Sequence, residues 1–158
     1  MRVRSFAGAF LQYNDEVLLM ERGLHKKVAP GLWAGIGGHI EADEHNNPLA
    51  ACLREIEEET GIVSSNIYGL NLRYYTVCKT KDTLDTIYYF TGSLKDKPLL
   101  IQTSEGVLHW KNKNDVLNYP MSPFIKAFYE HWLKYPDFDN IYCCITGKDG
   151  SIAVHEII

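Results

Sequence analysis

The sequence contains few cysteines, and none of them is spaced for a structural metal knuckle or a disulfide framework. There are four, at positions 52, 78, 143 and 144, without a C-x-x-C pair, and the last two are adjacent. Closely paired cysteines are the signature of zinc sites and of disulfide-stapled secreted domains. The pattern instead predicts reduced, mostly buried thiols in a cytoplasmic protein.

Long apolar runs and an excess of basic residues are also absent. Arg2 and Arg4 precede a short apolar run, but the run is too brief for a signal peptide and no small-residue cleavage site follows. No segment approaches transmembrane length, so we expect no membrane partner. The net charge of −4 argues against a nucleic-acid polymer, which basic surfaces bind. A nucleotide is still compatible, because a bound metal ion can supply positive charge locally.

The chain has the length and composition of one folded domain covering residues 1–158. With 46% apolar and 23% charged residues it can bury a proper core. Apolar, β-prone runs predict strands, and 3.6-residue periodicity predicts helices. The strands are expected at 3–13, 16–21, 67–79, 84–94 and 106–111, the helices at 49–60 and 123–134, and a closing hairpin at 141–157. This order predicts an α/β (α+β) fold, a mixed central sheet with helices on both faces.

Three glutamates in the first helix are the feature that most needs explaining. Glu55, Glu58 and Glu59 stand at positions i, i+3 and i+4, which share one face of a helix. Their repulsion would be offset by a hard divalent cation, which prefers carboxylate oxygens. Arg54 precedes Glu58 by four positions and can orient it. The simpler alternative is a solvated acidic surface.

Further specified positions surround this helix. Gly37 and Gly38 allow a tight turn that can offer a backbone carbonyl, and Gly61 follows the helix as a C-cap glycine does. The segment from 38 to 62 resembles the Nudix box of the Nudix hydrolases, G-x5-E-x7-R-E-U-x-E-E-x-G-U with U a bulky aliphatic. The matching residues are Gly38, Glu44, Arg54, Glu55, Ile56, Glu58, Glu59, Gly61 and Ile62. One departure is a two-residue insertion, since nine residues instead of seven separate Glu44 from Arg54.

The resemblance implies a Nudix-type α/β/α sandwich that hydrolyses a nucleoside diphosphate derivative with Mg²⁺ or Mn²⁺. By this similarity Glu55, Glu58 and Glu59 bind the metal, with the Gly38 carbonyl as a further ligand. A carboxylate must also orient or deprotonate the attacking water. The candidates are Glu58, Glu44 and Glu105, and the sequence leaves the choice open.

The substrate is indicated only by a weaker similarity. The segments 31–40 and 105–110 resemble MutT-type members, which hydrolyse nucleoside triphosphates, including oxidised purine ones, to monophosphate and pyrophosphate. Ala34 stands where an asparagine often reads the base in the oxidised-purine enzymes, and it has no side-chain donor or acceptor. Lys26 and Lys27 are candidates for binding the distal phosphates.

Other readings remain open. Within the same class the alternative is an ADP-ribose or dinucleotide pyrophosphatase. A different class is a non-catalytic Nudix-fold binding module, which the three retained glutamates disfavour. The closing hairpin is expected to cover a sheet edge or to pair with a second subunit in a homodimer.

Overall fold

A twisted sheet of nine strands, with one helix on each face, forms the body of the protein. The computed structural model describes residues 1–137 and 139–157. The strands are β1 (Arg2–Tyr13), β2 (Glu16–Arg22), β3 (Trp33–Ala34), β4 (Ile36–His39), β5 (Ile67–Lys79), β6 (Thr83–Leu94), β7 (Gly106–Asn112), β8 (Tyr142–Thr146) and β9 (Ile152–Glu156). The helices are α1 (Pro48–Thr60) and α2 (Pro123–Lys134), and short 3₁₀ turns lie at Ser64–Asn66 and Val116–Asn118.

The sheet is mixed, as the sequence predicts. Its main path runs β3-β2-β1-β6-β5-β8-β9, while β4 pairs with β1 and β7 pairs with β2. The β1–β6 and β5–β8 pairs are parallel, and the other pairs are antiparallel. Strand β1 therefore lies at the centre, in contact with β2, β4 and β6, and carries the residues that form the floor of the site described below.

Side-chain alternation along β1 divides the core into two clusters. Ala7, Ala9 and Leu11 pack with the apolar face of α1, whereas Phe10 packs with α2 on the other side of the sheet. The predicted arrangement of helices on both faces is confirmed. Of the cysteines, all free, Cys52 and Cys144 are buried and the other two are partly buried.

Helix α1 has a defined beginning and end. The Asn47 side chain accepts a hydrogen bond from the Ala50 N–H at 3.2 Å, which satisfies one of the free donors of the first turn. Pro48 occupies the first turn, where its missing N–H is harmless. Gly61 adopts a left-handed conformation, with φ of 75°, and its N–H bonds to the Glu57 carbonyl. These signals agree with the sequence prediction for this helix.

Helix α2 and the closing hairpin lie where the sequence predicts them. The helix has the predicted bounds, and Tyr129 is fully buried beside Phe128 and Trp132. The buried Tyr129 hydroxyl is satisfied because it donates to the Lys113 carbonyl at 2.6 Å. The hairpin of β8 and β9 extends the sheet, with Tyr142 opposite Tyr74 of β5. No helix within residues 1–137 and 139–157 has the length and apolar character needed to span a bilayer.

Candidate active site

A single cleft brings most of the predicted site residues together. It encloses about 790 Å³ between the acidic edge of α1, the loop that contains Lys26 and Lys27, the loop that contains Glu105, and the first turn of α2. Its floor consists of cross-strand neighbours of β1 and β6, in which Arg4 lies opposite Asp85 and Phe6 opposite Ile87. Glutamates therefore lie at one end of the cleft and apolar and aromatic side chains at the other.

Arg54 organises the glutamates at the acidic end. Its Nη1 donates to Glu55 Oε1 at 2.9 Å and to Glu58 Oε2 at 3.1 Å. Its Nη2 also donates to the His39 carbonyl at 3.0 Å, which ties the helix to the end of β4. The i,i+4 pair with Glu58 was expected from the sequence, while the contact with Glu55 was not.

Glu44 is the main partner of Arg54. The guanidinium donates from Nε to Oε1 at 2.8 Å and from Nη2 to Oε2 at 2.9 Å, so the pair is bidentate. These bonds, with one from the Glu41 N–H, lower the pKa of Glu44 to about 2. Glu44 lies beside the acidic face, although it does not line the cleft itself.

Glu59 is the most deeply buried of the three helix glutamates. Only 8% of the surface of Glu59 is exposed to solvent. Burial, followed by repulsion from Glu55 and Glu105, raises the pKa of Glu59 to about 8, against a weaker lowering by Arg22. Burial also raises the pKa of Glu55. The carboxyls of Glu59 and Glu55 are thus partly removed from water, and nearby positive charge does not fully compensate their negative charge.

Gly38 provides space for Glu55. A Cβ added at Gly38 would lie 2.5 Å from the carboxyl carbon of Glu55, so a side chain there would displace the carboxylate. Gly37 lies directly opposite Gly8 of β1, and a Cβ on Gly37 would lie 2.3 Å from the Ala7 carbonyl oxygen. The glycines therefore allow β4 to pass close to both β1 and the acidic helix.

The donor set fits a hard divalent cation. Within residues 1–137 and 139–157, no three His, Cys, Asp or Glu side chains are already arranged to hold a metal ion. Arg54 instead binds Glu55 and Glu58, so a cation would share these carboxylates with the guanidinium or displace it. The buried Glu59 carboxyl, the adjacent Glu55 and the backbone at Gly38 offer the hard oxygen ligands that Mg²⁺ and Mn²⁺ favour.

Glu105 lies across the cleft and is held by cations. Lys26 Nζ is 2.6 Å from Glu105 Oε1, and Arg22 Nη1 is 3.7 Å from Oε2. Glu105 is close enough to Glu59 to raise the pKa of that carboxyl. Lys27 also lines the cleft, where it is exposed and makes no ion pair with a described residue. The predicted phosphate-binding lysines and the third candidate base therefore face one another at the same opening.

The other end of the cleft contains residues that the sequence analysis missed. Arg4 and Asp85 form a bidentate pair, with Nε to Oδ1 at 2.8 Å. Phe6 packs against His39 with ring centroids 4.5 Å apart, and Phe124 and Ile125 of α2 also line the cleft. Period-two alternation in β1 places Arg4 and Phe6 on one face, but no local signal joins them to residues 81 positions away in β6.

Ala34 lies on the wall of this cleft next to the buried Trp33. The Trp33 ring stacks between Tyr119, at 4.1 Å, and His109, at 4.6 Å between centroids. The tryptophan is therefore held rigidly, and the position beside it offers no polar side chain to a ligand.

Comparison with known proteins agrees with this geometry. The NUDIX domain matches residues 1–132. An uncharacterized Nudix hydrolase of Bacillus subtilis, YvcI, is 29% identical over 118 residues, covering 72% of this chain and 68% of that protein. The m7GpppN-mRNA hydrolase NUDT17 of Xenopus laevis is 41% identical over 61 residues, which is 36% of this chain but only 20% of that protein.

A solved structure extends the likeness to nearly the whole chain. The MutT protein of Bacillus halodurans superposes with a TM-score of 0.67 and 24% identity, covering 97% of each chain. At that identity the likeness concerns the fold, whereas the domain match concerns the family. The chain therefore belongs to the Nudix family and is a Nudix hydrolase.

Proposed function

We propose that this Nudix hydrolase is a Mg²⁺- or Mn²⁺-dependent pyrophosphohydrolase of a nucleoside triphosphate, intact or oxidised, which it converts to the monophosphate and pyrophosphate. One observation carries the proposal. A single cleft contains the three helix glutamates, both lysines and the apolar side chains of Phe6 and Ile87, which together offer contacts for a metal ion, a phosphate chain and a nucleoside. Water adds to the α-phosphorus, the bond between that phosphorus and the oxygen that bridges it to the β-phosphorus breaks, and pyrophosphate leaves with the bridging oxygen.

Glu55, Glu58 and Glu59, with the Gly38 carbonyl, are the proposed metal ligands. A divalent cation bound there neutralises phosphate charge and lowers the pKa of a coordinated water. The main support is Glu59, whose buried carboxyl gains a compensating charge when a cation binds. Arg54 orients Glu55 and Glu58 through its two bonds from Nη1.

Glu58 is our choice for the carboxylate that accepts the proton from the attacking water. Its side chain is 58% exposed and receives one hydrogen bond from Arg54. Glu44 accepts two bonds from Arg54, and Glu105 is paired with Lys26. The Arg54 guanidinium lowers the pKa of Glu44, and the Glu105 carboxylate is engaged by the Lys26 ammonium.

Lys26 and Lys27 are proposed to bind the phosphates that leave. Lys26 already neutralises Glu105 at 2.6 Å, and an incoming phosphate would compete with that carboxylate. Lys27 is exposed on the same side of the cleft and is available for ionic contact. The nucleoside would then lie over Phe6 and Ile87, and selectivity would not come from the Ala34 side chain.

The deciding experiment is a substrate panel with products resolved by chromatography. It contains the common and oxidised nucleoside triphosphates, ADP-ribose, a dinucleoside polyphosphate and a methylated cap dinucleotide, each with Mg²⁺ and with Mn²⁺. We expect turnover of at least one triphosphate with release of pyrophosphate. Turnover of ADP-ribose or a dinucleotide alone would establish the alternative pyrophosphatase, and no turnover with tight nucleotide binding would establish a binding module.

Other predictions from the sequence stay untested. The four free thiols are compatible with the expected reducing, cytoplasmic environment. A homodimer through the closing hairpin also stays a prediction.

A further inference from the structure

A second, polar pocket lies far from the candidate active site. It encloses about 360 Å³ near the last turn of α2, where the ends of β1 and β6 meet β5. Gln12 and Ser93, which face each other across β1 and β6, lie in this pocket, whereas Arg4 and Asp85 of the same two strands lie in the cleft. Eight residues of strand separate them, roughly 26 Å.

The pocket contains a buried arginine with an unused donor. Arg73 is only 4% exposed, and its Nη2 donates to the Tyr135 carbonyl at 3.1 Å. Its Nε is the one buried side-chain nitrogen or oxygen without a hydrogen-bond partner among the described residues. Leaving a buried donor of a charged group unpaired is strongly unfavourable, so a ligand or ordered water is expected there.

The backbone is irregular where Arg73 enters the pocket. The pairing of β5 with β6 shifts between Leu72 and Tyr74, so Arg73 is the extra residue of a bulge. Leu72 packs with the α1 cluster and Tyr74 with the α2 cluster, while Arg73 lines the pocket together with Trp132 of α2. A second shift lies between Tyr68 and Asn71 in the same strand. Bulges re-aim side chains, and both are found at this pocket.

Two hydroxyls in the pocket are also available. Thr91 and Ser93 line it and make no side-chain hydrogen bond within the part of the chain that the structure describes. The amide groups of Gln12 and Asn71 lie beside them; each donates one N–H to a backbone carbonyl, of Asn14 and Gly69 respectively, and has a second N–H. A guanidinium with neighbouring hydroxyl and amide donors matches the chemistry of a tetrahedral oxyanion.

The charged groups on the rim restrict which oxyanion fits. Asp137 and Asp139 line the pocket and are exposed, and neither forms an ion pair with Arg73. Their carboxylates repel an anion whose oxygens are all hydrogen-bond acceptors. They can, however, accept a hydrogen bond from an anion that keeps an O–H group. We propose that the pocket binds a phosphate group through the Arg73 guanidinium, with its protonated oxygen directed to the rim.

The test uses the full chain freed of divalent cations with chelator, so that the acidic cleft does not retain phosphate. Inorganic phosphate, glycerol phosphate and sulfate are titrated at constant ionic strength. The ¹H–¹⁵N signals of the Arg73 Nε–H and the Trp132 indole N–H are followed by NMR. We expect saturable shifts with inorganic phosphate or glycerol phosphate and much smaller shifts with sulfate. If inorganic phosphate binds more tightly, the ligand is free phosphate; if glycerol phosphate binds more tightly, the ligand is a phosphomonoester.

Variants separate this site from general anion effects. Arg73→Met should weaken phosphate binding at least about tenfold, the loss expected for a charge-assisted hydrogen bond. Ser93→Leu should block the pocket while it leaves Arg73 in place. This variant tests the proposal even if Arg73→Met does not fold. Lys148→Met removes an exposed positive charge elsewhere and should bind normally. Equal shifts with sulfate, no shifts at all, or unchanged binding in both pocket variants would overturn the proposal.

Discussion

Arg54 and Glu44 form a two-bond ion pair across the turn that precedes α1. The guanidinium Nε and Nη2 donate to the two carboxylate oxygens at 2.8 and 2.9 Å. Arg54 uses its remaining nitrogen for Glu55 and Glu58. One guanidinium therefore links the turn to the acidic face, so the arrangement of the proposed metal ligands depends on the position of Glu44.

Replacing Glu58 with glutamine should abolish hydrolysis without unfolding the protein. The side chain is exposed, so the fold has little dependence on it, whereas the amide neither binds a cation well nor accepts a proton. We expect kcat to fall by at least about 10²-fold in saturating Mg²⁺. Glu57→Gln, the exposed neighbour on the same helix, is the matched control and should retain activity. Full activity of the Glu58 variant with an unchanged thermal melt would contradict the assignment.

Gly38→Ala should weaken the binding of the cation while it leaves the fold intact. The new Cβ would meet the Glu55 carboxyl carbon at 2.5 Å, and that carboxyl is the end of a flexible side chain that can move away. We expect the Mg²⁺ concentration for half-maximal activity to rise about tenfold or more, with Tm nearly unchanged. Gly23→Ala places a similar Cβ against the His25 ring, at 2.5 Å, and should behave as wild type. An unaltered Mg²⁺ titration for Gly38→Ala would show that Glu55 is not a ligand.

The metal-free protein should lose stability as pH rises. The pKa of Glu59 is about 8 in the folded state and 4.5 by reference in the unfolded chain, so the folded state binds the proton more tightly. The contribution of Glu59 to the free energy of unfolding is fully present below about pH 4.5 and is lost as pH rises through about 8. Each unit of difference between the folded and unfolded pKa corresponds to roughly 1.4 kcal/mol.

Urea denaturation in chelator at several pH values measures this effect. Glu59→Gln cannot ionise, so the wild-type-minus-variant difference in unfolding free energy should fall between pH 5 and 8. Added Mg²⁺ should restore the wild type at pH 8, because a ligand that binds only the folded state stabilises it. A difference that is flat with pH would contradict the burial argument.

Asn47→Ala should destabilise the protein through the start of α1. The Asn47 side chain accepts from the Ala50 N–H at 3.2 Å, and loss of such a cap costs about 1 kcal/mol. The exposed neighbour Asn46 makes no comparable bond, so Asn46→Ala serves as the control. Equal unfolding free energies for the two variants, measured in urea, would rule out the capping role.

Local signals were sufficient for most elements of the fold. The 3.6-residue periodicity and Gly61 predicted the bounds of α1 within a residue, because a C-cap acts through backbone groups of the adjacent turn. The strands of residues 67–79 and 84–94 were equally visible, since β-branched and aromatic residues fit a pleated surface. The burial of Tyr129 has no local signal, because its hydroxyl donates to a carbonyl 16 positions away.

The sequence by itself determined the family and the acidic face, because the Nudix box is a contiguous pattern whose helix spacing places Glu55, Glu58 and Glu59 together. Only the tertiary structure decided what those glutamates face. Arg54 binds Glu44, ten positions earlier, through the conformation of the turn before α1. The pair of Arg4 with Asp85 and the placement of Arg73 in a second pocket join segments distant in the chain. Such contacts depend on strand register and on bulges, which leave no periodic or compositional trace in the residues themselves.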